Sequence, residues 1–366
     1  MIWPRLKNIN FLLLLCKDRA YMNLTFAIVL SIFAGFINGS FALPSKYLKK
    51  WEFENIWLNY SIWGFLICPL SFVYFMAPHA FDVYKHLTDH MTMIILAGGL
   101  AFGIGQACFA ISLHFIGIGL GFLINISIGT ALGALIPLFL YHRSQMFAAS
   151  GIVTITAVLL ILLGLVLSYV AGHRRDAKSK KKVPGEKCNK KVYYIGVFLA
   201  IIAGFCSAAQ NMTFSATVSL QYIALDMGAH ALVASNILWP MFLGISFVPY
   251  AIYMLFLHFK NKNFAAYTKE FNIKYFLATM IMGLFFYFSL IMYSQASLMV
   301  GELGPIICWP MFMVCIILTS NFWGWLHGEW DSAESKVKRL ALKGVLLMVL
   351  AVLVLAAATH LSSKII

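Results

Sequence analysis

Long apolar stretches of about 20 residues, separated by short polar segments, fill most of the chain, and a helix of roughly that length crosses a bilayer. The pattern therefore predicts an all-α membrane protein with ten transmembrane helices and no long soluble domain. The predicted helices cover residues 24–43, 57–77, 92–115, 118–140, 147–171, 192–215, 230–257, 275–298, 302–326 and 341–361.

A basic segment, residues 172–191, divides the predicted helices into two sets of five. It contains nine Lys and Arg residues together with Pro184 and Gly185, a composition typical of a flexible cytoplasmic linker. We therefore predict a first five-helix repeat at 24–171 and a second at 192–361.

Residues 1–23 hold an apolar run that is too short to span a bilayer and is not followed by a small-residue cleavage site. Met22 lies directly before the first predicted helix. We interpret residues 1–23 as an N-terminal extension outside the fold and expect translation to begin at Met22.

The distribution of basic residues predicts the orientation in the membrane. Beyond residue 23, twenty Lys and Arg residues follow odd-numbered predicted helices and three follow even-numbered ones. Because basic residues concentrate in cytoplasmic loops, the loops after odd helices are predicted to be cytoplasmic. Both termini are then outside.

Short internal matches relate the two halves. Ala34–Phe36 recurs as Ala203–Phe205 at an offset of 169, and Trp63 recurs as Trp239 at an offset of 176. Since each half has an odd number of helices, the second copy would enter the membrane upside down. Inverted repeats of this kind are a transporter architecture in which the substrate site lies between the halves.

Composition and charge exclude several classes of function. The chain is 61% hydrophobic and 11% charged, which is too apolar for a soluble enzyme, and we recognise no nucleophile–base pair or paired carboxylates. The seven Cys residues lack metal-ligand spacing, so we expect no metal and no cofactor. The net charge of +14 is explained by cytoplasmic loops, so we do not expect nucleic-acid binding.

Polar side chains at membrane depth are the informative positions. Amides that donate and accept, combined with aromatic faces, suit a neutral sugar, whose hydroxyls need pairing while its C–H face stacks. The alternative for each amide is a hydrogen bond between helices. The predicted substrate-binding residues are Asn38, Gln106, Asn125, Gln210, Asn211 and Trp239.

Charge inside the predicted helices is nearly absent. Of the acidic residues, we expect only Glu302 to adjoin a helix closely, on the outer side where a proton-driven importer collects its proton. The alternative is an acidic residue stabilised by the helix dipole. We predict Glu302 as the proton-coupling residue.

Several segments resemble the L-rhamnose–proton symporters. Gly39–Trp57 contains LPSKYLKKWEFENIW and is similar to that family's first loop, with its proline, paired lysines and W-x-W/F-E-x-x-W pattern. Gly103–Pro137 resembles the family's third and fourth helices, and Ile202–Met212 and Asn321–Trp330 are similar as well. The resemblance covers the first to the ninth predicted helix.

The resemblance implies the fold of the drug/metabolite transporter superfamily in the bacterial inner membrane, and inward transport of a sugar, foremost L-rhamnose, coupled to protons. The partners would be a small neutral sugar, protons and the lipid bilayer. We interpret Pro44–Trp57 mainly as a membrane anchor. The alternatives are an exporter of another small solute and a membrane sensor that does not transport.

Overall fold

The structure is a computed structural model and describes residues 24–179, 190–269 and 272–362. Ten helices in this part of the chain are long and apolar enough to cross a membrane, and no strand occurs among the described residues. They are α1 Leu24–Tyr47, α2 Phe53–Met76, α3 Asp89–Ile116, α4 Ile118–Tyr141, α5 Ala149–Ser179, α6 Lys190–Asp226, α7 Ala231–Asn261, α8 Ile273–Val300, α9 Gly304–Leu326 and α10 Ser335–Ser362.

The ten predicted helices are confirmed, with differences at their ends. The helix α2 begins four residues earlier than predicted, and α6 continues to Asp226 beyond an irregular turn at Thr217. Residues 172–179 of the predicted linker continue α5 as helix. The rest of that linker up to residue 189, and the predicted extension 1–23, lie outside the described residues.

Glycines allow close packing between helices that are distant in the chain. Gly35 and Gly39 of α1 lie against α9, and Gly129 and Gly204 lie in the contact of α4 with α6. Small residues let backbones approach closely in lipid, where dispersion contacts drive helix association.

The packing partners follow a pattern along the chain. The helix α3 packs on α6 and α7, α8 packs on α2, and α5 packs on α10. Each helix of one set of five can be matched to the helix at the same place in the other set, so that α3 matches α8, α7 matches α2, α4 matches α9 and α6 matches α1. This matching converts the α3–α7 contact into α8–α2 and the α4–α6 contact into α9–α1. Several helix pairs in contact therefore correspond between the two sets of five helices.

Both α2 and α7 are irregular at corresponding positions. A widened (π) turn at Ile62–Ile67 interrupts α2, and the residues between Asn236 and Trp239 interrupt α7. The offset of 176 that relates Trp63 to Trp239 also brings these two breaks together. Such breaks free backbone carbonyls, and in membrane proteins they are tolerated where protein or a polar cavity satisfies them.

The ends of α1, α5 and α9 meet at one end of the bundle. Glu329, just beyond α9, accepts from Lys46 Nζ at 2.9 Å and from Arg175 Nη1 at 3.4 Å. Burial acts to raise the pKa of Glu329, but the hydrogen bond and charge of Lys46, with the charge of Arg175, lower it below its ordinary value. The ends of these three odd-numbered helices thus share one side.

Candidate functional site

Asn211 of α6 connects four helices in the centre of the bundle. Its side chain is fully buried, and its amide nitrogen donates to Gly133 O of α4 at 2.7 Å and to Pro305 O of α9 at 2.8 Å. The Tyr293 hydroxyl of α8 donates to Asn211 Oδ1. Both amide hydrogens are therefore used within the protein in this conformation.

The sequence of α4 explains one of these hydrogen bonds. Pro137 lies inside α4 and has no N–H to donate to the carbonyl four residues before it, which is that of Gly133. An unpaired carbonyl in hydrocarbon costs several kcal/mol. Asn211 supplies the missing donor from the neighbouring helix.

Trp239 begins the longer part of α7 and is fully buried. Its indole Nε1 donates to Ser294 Oγ of α8 at 2.6 Å, and its ring stacks on Phe214 of α6. Phe214 in turn contacts Tyr293, with ring centroids 5.5 Å apart. The structure thus brings Trp239 and Asn211 into one cluster through the rings of Phe214 and Tyr293.

Aromatic rings extend this cluster toward the end of the bundle where α2 begins. Successive ring contacts join residues of α1, α2, α3, α6, α7, α8 and α9. The series is Phe41, Trp57, Tyr60, Phe286, Phe65, Phe102, Phe242, Trp239, Phe214, Tyr293, Trp309 and Phe312, and Tyr250 contacts Phe65 beside it. The faces and edges of such rings are surfaces that a sugar C–H face can contact.

Asn38 lies at the contact of α1 with α8. It is 7% exposed, and its Nδ2 donates to Ser289 Oγ at 2.7 Å. Ser289 donates in turn to Phe286 O, its own helix backbone. The structure therefore places Asn38 beside the aromatic series. Its partner Ser289 lies five residues before Ser294 in α8.

Asn125 and Gln210 differ from Asn211 in an important way. Both are buried, yet Asn125 Oδ1 and Gln210 Nε2 have no hydrogen-bond partner among the described residues. Asn125 lies where α4 packs on Gly204 of α6, and Gln210 directly precedes Asn211. One acceptor and one donor thus stay unpaired on neighbouring helices. Gln106 of α3 is half-buried.

Glu302 lies between α8 and α9, three residues before Pro305. Its side chain is exposed, at the end of the bundle that also contains His142. Burial lowers the pKa of His142 below its ordinary value, and the charge of Glu302 acts in the opposite direction. Glu302 and His142 are therefore electrostatic neighbours.

A cavity of about 350 Å³ opens near the far ends of α2 and α6. His79, Asp82 and His230 lie in its wall, beside apolar residues of the α6–α7 connection. The hydrogen bond from Lys85, at 2.8 Å, lowers the pKa of Asp82. In the described part of the chain, no three His, Cys, Asp or Glu side chains are placed to hold a metal ion.

The expectation that Glu302 alone among the acids adjoins a helix closely is wrong. Glu54, the second residue of α2, is 3% exposed, and its neighbour Asn55 is fully buried. Both lie in the WEFENIW segment that we interpreted as an anchor outside the helix. The aromatic residues around them were the available signal, because exposed anchors do not need so many large apolar side chains.

Comparison with known proteins gives a consistent result. Residues 22–359 match a family model described as L-rhamnose-proton symport protein. An L-rhamnose-proton symporter of Yersinia pestis (strain Pestoides F) is 22% identical over 318 residues, covering 85% of this chain and 91% of that protein. One of Mannheimia succiniciproducens is 23% identical over 338 residues, covering 89% and 96% respectively.

Proposed function

The chain belongs to the L-rhamnose-proton symport protein family, and we propose that it imports L-rhamnose, or a closely related neutral sugar, together with protons. The proposed membrane is the bacterial inner membrane. Two observations support the proposal. The family model covers nearly the whole chain, and the cluster of Asn211, Trp239, Phe214 and Tyr293 consists of an amide and aromatic rings without a charged side chain.

The observation that carries the proposal is the pair of unpaired amide atoms on α4 and α6. A sugar hydroxyl both donates and accepts, so it can donate to Asn125 Oδ1 and accept from Gln210 Nε2. Buried polar atoms without partners are costly, and a ligand that pairs them gains that energy on binding. We propose Gln106 of α3 as a third polar contact.

Asn38, Asn211 and Trp239 complete the proposed sugar-binding set. Their N–H groups already donate within the protein: Asn38 to Ser289, Asn211 to two backbone carbonyls, and Trp239 to Ser294. They would therefore meet the sugar through ring faces and acceptor lone pairs, while their hydrogen bonds fix the positions of six helices, α1, α4, α6, α7, α8 and α9. Rigid support of this kind improves the geometry of a binding site.

We propose Glu302 as the proton-coupling residue, with His142 as its neighbour. Both lie at the end of the bundle opposite to Lys46, Arg175 and Glu329. The positive-inside pattern assigns the latter end to the cytoplasm, so Glu302 would meet protons from outside. The effect of its charge on His142 supports a shared role of the two groups.

The architecture that we propose is two inverted five-helix repeats, with both termini outside and a drug/metabolite transporter fold. The corresponding packing of α3–α7 and α8–α2, and the breaks in α2 and α7 at one offset, support this arrangement. Inverted repeats allow alternating access by rocking of the halves around a central site.

Uptake of labelled L-rhamnose into proteoliposomes tests the function. We expect accumulation under an imposed inward proton gradient, and collapse of the accumulation when an uncoupler is added. Uptake that ignores the gradient would contradict proton coupling. If the vesicles took up another neutral sugar but not L-rhamnose, the substrate would be that sugar and not L-rhamnose.

A further inference from the structure

A buried polar cluster joins the two halves where α2 begins and α7 ends. Glu54 Oε1 accepts from Asn261 Nδ2 and from Asn263 Nδ2, each at 2.5 Å. Glu54 is 3% exposed. The carboxyl group therefore fastens the first turn of α2 to the end of α7 through two short hydrogen bonds. We call Glu54, Asn261 and Asn263 the α2–α7 latch.

Asn55 and His258 add a second layer beside the latch. His258 is fully buried, and its Nδ1 lies 2.9 Å from Met254 O, so Nδ1 carries the proton. His258 Nε2 then accepts from Asn55 Nδ2 at 3.2 Å. Since Asn55 Oδ1 accepts from Glu52 N, a reversed amide would lose both contacts. Glu52 and His258 thus fix the orientation of the Asn55 amide.

Other ionisable groups lie on the elements near the start of α2. The helix α7 carries Tyr253, His258 and Lys260, and Lys262 directly follows it; the short helix Ala266–Lys269 carries Tyr267 and Lys269; α8 carries Lys274 and Tyr275.

None of these groups balances the charge of Glu54. Tyr267 donates to Asn55 O at 3.0 Å, and burial raises the pKa of Tyr267 to about 12. Among the described residues, no Lys or Arg forms an ion pair with Glu54. Burying a carboxyl group whose partners are only amides costs more desolvation free energy than burying an apolar side chain. A contact that never opened would be more stable if it were apolar.

The opposite end of the molecule provides a contrast. At the offset of 176, Glu54 corresponds to His230 and His258 corresponds to Asp82. His230 and Asp82 line the 350 Å³ cavity between α2 and the α6–α7 connection. The counterparts of Glu54 and His258 therefore lie in the wall of a cavity at the other end of the molecule.

We propose that the α2–α7 latch is the inner gate of the transporter, which is closed in this structure and must open each time sugar is released to the cytoplasm. The inference rests on the proposed function. A carboxyl group suits this task because its hydrogen bonds to amides are strong when made, and because water can replace them when the gate opens.

Spin-label distance measurements test the gate. One label replaces Phe53 and the other replaces Lys260, two exposed residues that flank the latch, in a cysteine-substituted background that retains uptake. A second pair replaces Phe81 and Met227 near the outer cavity. In detergent without sugar, we expect a short inner distance and a long outer distance in the otherwise unchanged protein.

Glu54→Gln keeps the shape of the side chain but removes its charge. Because charge-assisted hydrogen bonds are about twice as strong as neutral ones, we expect a roughly tenfold rise in the population with a long inner distance. The double variant Asn261→Ala with Asn263→Ala should give the same shift by removing the donors. The outer distance should shorten in parallel.

Glu329→Gln is the matched control, since it removes one carboxyl charge from the same end in an exposed ion pair. It should leave both distances unchanged. Unchanged inner distances in both latch variants, or an equal change in Glu329→Gln, would overturn the gate. Uptake of L-rhamnose by the unchanged protein is measured separately, so that failure of the substrate proposal is recognised without affecting the distance result.

Discussion

The indole ring of Trp239 lies parallel to the phenyl ring of Phe214, with centroids 5.3 Å apart and planes 2° apart. The hydrogen bond from Trp239 Nε1 to Ser294 Oγ fixes the rotation of the indole within this stack. One residue of α7 is thereby held by α6 through its face and by α8 through its edge.

Trp239→Phe tests the two contacts separately, because it keeps a ring for the stack and loses the donor. We expect a loss of about 0.5–1.5 kcal/mol in the free energy of unfolding. Ser294→Ala should cost more, about 1–3 kcal/mol, because it leaves a buried N–H unpaired. Thermal unfolding in detergent of both variants and of their combination measures the coupling. Strict additivity would show that the hydrogen bond contributes nothing.

Asn211 and Asn125 are both buried amides, but only the substitution of Asn211 by Ala should lower the stability. Asn211→Ala leaves Gly133 O, Pro305 O and the Tyr293 hydroxyl unpaired, so we expect a loss of roughly 1–3 kcal/mol or more in stability. Asn125→Ala removes an unpaired acceptor and should leave the melting temperature nearly unchanged.

Sugar uptake distinguishes the same two variants. Asn125→Ala should raise KM for the sugar by about tenfold, since one hydrogen bond to substrate is lost. Melting curves and uptake kinetics on the same preparations provide the measurement. A destabilised Asn125→Ala with normal KM would remove Asn125 from the proposed site.

Gly39→Ala should separate α1 from α9. A Cβ at this position would lie 2.6 Å from Thr319 Cβ and 2.7 Å from Ile316 O, so one backbone must move. Overpacking of this kind costs about 1–3 kcal/mol. Gly244→Ala on α7 is the control, because nothing lies within 4 Å of its added Cβ. Melting temperatures in detergent compare them, and equal values would contradict the close packing.

Glu302→Gln should abolish uphill accumulation of sugar while exchange of labelled for unlabelled sugar continues. The physical reason is that Gln cannot take up and release the coupled proton, whereas exchange needs no net proton movement. Proteoliposome accumulation and counterflow measure the two activities. Asp226→Asn, which changes the exposed last residue of α6, is the control. Normal accumulation in Glu302→Gln would exclude it from coupling.

Hydropathy along the chain predicted the number and order of the helices because each must be apolar to cross a bilayer. It failed at the start of α2, where two Glu residues within three positions indicate a loop. Glu54 is nevertheless buried, because Asn261 and Asn263, more than 200 residues away, provide its partners. Such pairing is a property of the folded chain and leaves no periodic signal.

The same limit applies to the amides. The sequence places Asn125 and Asn211 in apolar helices, but it does not distinguish the amide that pairs with backbone from the one that stays unpaired. The difference depends on Pro137, which frees the carbonyl that Asn211 reaches. Proline positions in neighbouring helices are therefore a usable signal once the packing order is known.

The continuous series of aromatic rings also has an electrical consequence. An ion that moved along it would have to shed its hydration shell among side chains that carry no charge, at a cost of several kcal/mol. The rings therefore insulate the two compartments from one another even while a sugar passes. Leakage of protons and sodium through the core would be suppressed, and the gradient that drives accumulation would be conserved.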